Sequence, residues 1–142
     1  MKPTAHLLLG LMLLGSSLAF AQSSRPPQYD LTCSAFTYSP SKPVVGDALR
    51  FEYTIANFGK DAVPPNSYDI DLYLDDKLIA FDHGTKGMKG RPGRTVYAVP
   101  ATEDSKLITP GVHRYKLVID SKNRLPESNE RNNVREGTIT VH

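Results

Sequence analysis

One cysteine and no tryptophan are found in 142 residues. With Cys33 alone, no disulfide can close within the chain, so the fold must stand on its hydrophobic core. Cys33 alternates with Leu31 and Ala35 and reads as a small buried core residue, with a disulfide to another molecule as the alternative. No apolar run reaches the roughly 20 residues that span a bilayer. The short run Leu7 to Leu14 follows Lys2 and precedes Ala19-Phe20-Ala21, the order of a secretory signal peptide with an A-x-A cleavage site. An exported protein is expected, periplasmic or extracellular, with no transmembrane segment and a mature chain from Gln22. No cysteine sits at the cleavage site, which argues against a lipoprotein. Neither sign of charge is in excess: Lys and Arg number 17 against 15 Asp and Glu, a net +2. Removing Lys2 leaves about +1, so there is no global electrostatic case for nucleic acid or anionic membrane as partner.

Catalytic signatures are also missing. There is no G-x-S-x-G, no H-E-x-x-H and no P-loop. His83, His113 and His142 are scattered, and His6 falls in the signal. Paired carboxylates occur at Asp69/Asp71 and Asp75/Asp76. The first pair is expected on a wet strand face and the second in a hairpin turn, so two-carboxylate hydrolase chemistry is only an outlying reading.

What is present is a chain of short β-patterned runs. Residues 22–28, with Pro26-Pro27, form a flexible leader, and one domain is expected over 29–142. Strands are expected over Tyr29–Tyr38, Ala48–Asn57, Tyr68–Leu74, Lys77–Phe81, Thr95–Ala101, Gly111–Asp120 and Val134–His142. In the second, Leu49, Phe51, Tyr53 and Ile55 alternate with Arg50, Glu52, Thr54 and Ala56, giving one apolar and one wet face. In the third, Ile70, Leu72 and Leu74 alternate with Asp69, Asp71 and Tyr73. Gly59 offers the positive φ of a tight turn. Asp75-Asp76 is a hairpin turn. Gly137, between Val134 and the differently phased Ile139 and Val141, suggests a bulge. No stretch shows a helical period. The fold class is all-β: an immunoglobulin-like antiparallel β-sandwich of about seven strands, with a closed barrel as the alternative.

Several pieces together resemble one family. They are Asp30-Leu31, Val45-Gly46-Asp47, Asn57-Phe58-Gly59, Leu72-Tyr73-Leu74-Asp75, Pro92-Gly93 and Pro110-Gly111. The most distinctive is Val118-Ile119-Asp120…Asn123…Leu125-Pro126-Glu127-Ser128-Asn129-Glu130-Arg131-Asn132-Asn133. The chain from about Tyr29 to His142 resembles a CARDB domain, the cell-adhesion-related module of bacteria. The resemblance implies an immunoglobulin-like sandwich on an exported protein, used for adhesion or as an accessory module.

Three places could carry a ligand. Asp120, Asn123, Glu127 and Glu130 are hard oxygen donors that Ca²⁺ would accept. The competing reading is a turn in which Asx and Glu side chains accept backbone N–H bonds, and it explains every residue type there. The segment Asp82–Arg94 has four glycines and a proline. Its His83, Lys86, Lys89, Arg91 and Arg94 could hold the phosphate or carboxylate of an anionic polymer, or simply keep a loop soluble and an edge strand unpaired. Tyr68 and Tyr73 are expected on a strand face away from the core, where aromatics can stack on sugars or on each other. The function expected is a non-catalytic binding or adhesion-type module recognising protein or cell-surface glycan through loops and an edge strand. It would need no cofactor and be monomeric or weakly homo-oligomeric. A scaffold subunit of an envelope complex is the alternative.

Overall fold

The alternation that marks the second run does what a half-buried strand requires. Phe51, Tyr53 and Ile55 are buried, while Arg50 and Glu52 reach solvent. The computed structural model describes Arg25 and residues 27–142. The expected signal peptide at 1–21, and most of the 22–28 leader, lie outside the described residues. Seven strands form: β1 Leu31–Ser39, β2 Arg50–Asn57, β3 Ile70–Leu74, β4 Lys77–Asp82, β5 Gly93–Val99, β6 Gly111–Ile119 and β7 Val134–Val141. Two single-turn 3₁₀ segments, Glu103–Ser105 and Glu130–Asn132, interrupt the loops. All pairing between these strands is antiparallel, in one sheet ordered β1-β2-β5 and another ordered β4-β3-β6-β7. The two sheets make a sandwich, not a closed barrel.

The inner faces supply the core. Phe51, Tyr53 and Ile55 of one sheet oppose Ile70, Leu72, Leu117, Ile119 and Ile139 of the other, all buried. Aromatic rings line the interface: Phe36 of one sheet stacks on Tyr115 of the other with centroids 4.3 Å apart, and within the first sheet Tyr53 lies 5.5 Å from its cross-strand partner Tyr97. Burial of this kind contributes ~25 cal/mol per Å² of apolar surface and is the main source of stability in a chain with no internal disulfide.

The structure corrects several expectations. The β6–β7 register runs unbroken from Gly111↔Val141 to Val118↔Val134, so Gly137 marks no bulge. Val134 simply points outward, and a Cβ at Gly137 would lie 2.5 Å from the Tyr115 hydroxyl oxygen. The bulges lie elsewhere, at Ser34 in β1 and at Ile79 in β4, where the pairing register slips by one. Ala48 makes only an isolated bridge, to Lys106, so β2 starts at Arg50 and not at Ala48, and β3 starts at Ile70, two residues after the expected Tyr68. Gly59 is not in the positive-φ region. Its role is close approach, since a Cβ there would lie 2.2 Å from the Gln28 carbonyl oxygen. Cys33 is half-buried beside the β1 bulge, while Ala35 is exposed. Tyr68 is not on an outer face: it is fully buried, its hydroxyl 2.7 Å from that of Tyr97. Tyr73 does face outward from β3, half-buried.

Candidate functional site

One end of the sandwich gathers the start of β1, the end of β2, the loops flanking β3 and β4, and the β6–β7 turn. Asn57 is its hub. Its Oδ1 accepts from the Gly59 and Asp30 amides, at 3.0 and 3.3 Å, and its Nδ2 donates to the Asp61 and Lys89 carbonyls. The buried amide thereby uses both its acceptor and its donor capacity. The glycine-rich segment after β4 is stitched down in the same way. Val63 and Met88 exchange two backbone bonds, the Asn66 amide donates to the Gly84 carbonyl, and the Arg91 amide donates to the Gly59 carbonyl. Met88 is buried as an anchor. The segment is irregular in shape yet tied along its length.

The β6–β7 turn explains the fate of the predicted oxygen donors. Asp120 adopts φ 48° and caps the Arg124 and Leu125 amides through its two carboxylate oxygens, at 3.0 and 2.8 Å. Glu127 accepts from the Leu31 amide with one oxygen and from Asn133 Nδ2 with the other. Glu130 accepts from the Glu127 amide at 3.0 Å and from Asn133 Nδ2 at 3.2 Å. Every carboxylate oxygen of these three residues therefore already meets an N–H. Asn123 is exposed with φ 49° and donates its amide to the Asp120 carbonyl. Among the described residues no group of three or more His, Cys, Asp or Glu side chains is placed to hold a metal ion. Burial pushes the Glu127 carboxyl up to about 7, against the opposing pull of its N–H donors.

Asp69 forms a second knot. It was expected on a wet strand face, but it precedes β3 and its side chain is only 3% exposed. Around it stand His83 Nδ1 at 2.6 Å, Arg124 Nε at 2.8 Å and Lys122 Nζ at 3.6 Å. Burial alone would raise its pKa; the His83 hydrogen bond and the Arg124 and Lys122 charges outweigh that and hold it low. Phe81, 66% exposed, sets its ring edge-on to His83 at 5.4 Å.

The predicted basic set is thus divided. His83 turns to Asp69. Lys86 donates to the Val96 carbonyl at 3.1 Å and lies 5.4 Å over the Tyr97 ring. Lys89, Arg91 and Arg94 are exposed, and among the described residues their side chains make no hydrogen bond or ion pair. A pattern follows for this end of the molecule. Five carboxylates are engaged by backbone amides: Asp61 by Gln28, Asp82 by Thr85, and Asp120, Glu127 and Glu130 as above. Lys60, Lys89, Arg91, Arg94, Lys122 and Arg131 are exposed. Nearly balanced net charge thereby leaves this end with exposed cations and with acids tied to the backbone.

The opposite end holds a second, part-buried His–Asp contact. His113 is buried, with Nδ1 2.5 Å from Asp75 Oδ2 and Nε2 2.8 Å from the Thr109 carbonyl. Thr109 Oγ1 lies 3.4 Å from the same Nε2, so the trio superficially resembles a nucleophile, base and acid. A carbonyl can only accept, so Nε2 carries a proton and has no lone pair for the hydroxyl. The Asp75 hydrogen bond raises the His113 pKa against desolvation. The trio fastens the β3–β4 turn to β6 and does not activate a nucleophile. Sequence reasoning missed both His–Asp pairs, whose members lie 14 and 38 residues apart with no local pattern to join them.

Comparison with known proteins sets this geometry in context. The CARDB family model matches residues 28–137. The chain is similar in fold to the CARDB domain of the PF1109 protein from Pyrococcus furiosus, a structure in complex with di-metal ions. The TM-score is 0.63 and the identity 22%, over 81% of this chain and 90% of that one. It is also similar to a domain of a protein assigned to the cell surface of Methanosarcina acetivorans, with TM-score 0.55 and 18% identity over 83% and 94% of the two chains. A β-glucosidase from Erythrobacter marinus contains a likeness at TM-score 0.52 and 19% identity, covering 80% of this chain but 16% of that enzyme. No curated protein matches.

Proposed function

The chain belongs to the CARDB family, and from that premise we propose that it is an exported, non-catalytic binding module whose basic end engages cell-surface glycan bearing carboxylate or phosphate groups. The observation that carries this reading is the segregation of charge. Asp61, Asp82, Asp120, Glu127 and Glu130 at that end accept backbone amides, while among the described residues the side chains of Lys89, Arg91 and Arg94 make no hydrogen bond or ion pair. A pre-positioned array of cations loses little entropy on meeting a polyanion. Phe81 beside His83 adds an exposed ring face of the kind that packs on sugars. Export rests on Lys2, the Leu7–Leu14 run and Ala19-Phe20-Ala21. Among the described residues no helix is long and apolar enough to cross a membrane.

No metal enters this reading. The Pyrococcus domain was crystallised with di-metal ions, but the donors of this chain do not fit such a group. The oxygens of Asp120, Glu127 and Glu130 are already engaged by N–H donors, and among the described residues no three His, Cys, Asp or Glu side chains are placed to share one ion.

The test is chromatography on immobilised heparin and on an acidic bacterial polysaccharide. Replacing Lys89, Arg91 and Arg94 together with Ser is expected to abolish retention at moderate salt. Replacing Lys42 and Arg50, exposed at the other end, is expected to leave it unchanged. Equal retention of the two variants would refute the reading. Lys86 is spared because its bond to Val96 belongs to the fold.

A further inference from the structure

β4 is the outer strand of its sheet. Its backbone pairs with β3 on one side, and among the described residues Lys77–Asp82 makes no backbone hydrogen bond on the other. The neighbouring edge of β5 is blocked, since Lys86 donates to the Val96 carbonyl. β1 is bulged and clasped by Glu127 and Asn132. The β4 edge has no such cover. It borders a groove of about 400 Å³ lined by Leu78, Ile79, Ala80, Phe81 and Asp104. Leu78 and Phe81 are 45% and 66% exposed.

The order of residues along this edge is self-complementary. Lys77-Leu78-Ile79-Ala80-Phe81-Asp82 carries a cation at one end, an anion at the other and four apolar residues between. A regular six-residue strand could not use that symmetry. A two-fold axis normal to the sheet keeps each side chain on its own face, and strict alternation would put residues 78 and 81 on opposite faces. The bulge removes the conflict. Leu78 pairs with Tyr73 and Phe81 with Asp71, both on the outer face of β3, while Ile79 and Ala80 both pack toward the core. The faces then read in, out, in, in, out, in, the same from either end. Bulges and charges usually keep an edge from pairing; this bulge makes pairing possible with one partner.

We propose that β4 is the dimerisation edge of this protein, pairing antiparallel with β4 of a second copy. Lys77 of one copy stands opposite Asp82 of the other, Leu78 opposite Phe81 and Ile79 opposite Ala80, each twice by symmetry. The four-stranded sheets join into one of eight strands. The contact is small, so the dimer is a weak one that forms as concentration rises.

Sedimentation equilibrium of the purified chain from about 10 µM to about 1 mM, with reductant present to exclude a Cys33 disulfide, tests the pairing. Reversible dimerisation is expected. Lys77→Asp and Asp82→Lys should each weaken it at least tenfold by setting like charges opposite one another, and the double exchange should restore it. Among the described residues Lys77 pairs only with Asp104, at 2.7 Å in a solvent-exposed contact, so its loss should leave the melting temperature nearly unchanged. A chain that stays monomeric throughout overturns the proposal. So does a dimer indifferent to the single exchanges, or one that the double exchange fails to rescue.

Discussion

His113 sits with both ring nitrogens against acceptors, and that fixes its charge. A group whose pKa is raised by folding contributes stability that is complete below its unfolded value, near 6.5, and lost as pH climbs through the folded one. Glu127 acts in the same direction. Its carboxyl is raised from 4.5 to about 7, so the fold favours the protonated form and loses stability as pH rises across that interval. Asp69 and Asp75 are held low and act oppositely: their contribution is present above 3.8 and fades as pH falls through their folded values. The melting temperature is therefore expected to fall between about pH 5 and about pH 8, and to fall again in strong acid. Glu127→Gln should flatten the profile below about pH 7 while lowering stability overall, because it turns an amide toward Leu31 N–H or Asn133. A calorimetric series across pH for both proteins checks this. At this scale the sequence was partly legible. The turn reading of Asp120, Glu127 and Glu130 needed only the knowledge that such side chains accept amide bonds. The burial of Asp69 was not legible, because one residue before a strand the chain has left the alternation that sorts wet faces from dry.

Among the elements, the β3–β4 hairpin has the most local cause. Asp75 and Asp76 adopt φ 48° and 63°, the paired left-handed geometry of a two-residue turn matching strand twist. Asp76→Val, which forces a β-branched side chain into that region, should cost about 1–2 kcal/mol. Asp76→Gly should leave the urea midpoint near its original value or raise it slightly. Equal midpoints for the two variants would mean the turn conformation does not limit stability. The strands themselves were legible because a two-residue period survives in any sheet with one wet face. Their ends were not. Ala48 looks like strand but finds only an isolated partner in Lys106, and β5 starts at Gly93, two residues before its β-branched run. The phase change around Gly137 was real, yet its cause was an outward Val134 and not an inserted residue. Exposed valines at a strand start carry no sign of which way they face.

For the molecule as a whole, the arrangement of charge matters more than its sum. The carboxylates of the β6–β7 turn are engaged by amides and, among the described residues, no three of them are grouped to hold one ion, so titration with Ca²⁺ should release no heat and leave the melting temperature unmoved; a clear shift would show that the turn binds the ion. The same turn also fastens the first strand of the sandwich. Glu127 accepts from the Leu31 amide at the start of β1, Ser128 Oγ donates to the Tyr29 carbonyl just before it, and Asn132 Nδ2 donates to the Asp30 carboxylate. These contacts connect residues about a hundred positions apart. Synthesis runs from the N-terminus, so until residue 127 has been made the Leu31 amide has no Glu127 to meet. β1 can find β2 early, but the beginning of the strand must wait for the turn between β6 and β7. Closure of the domain is thereby tied to synthesis of that turn, and a product cut short before it would have its opening strand unfastened.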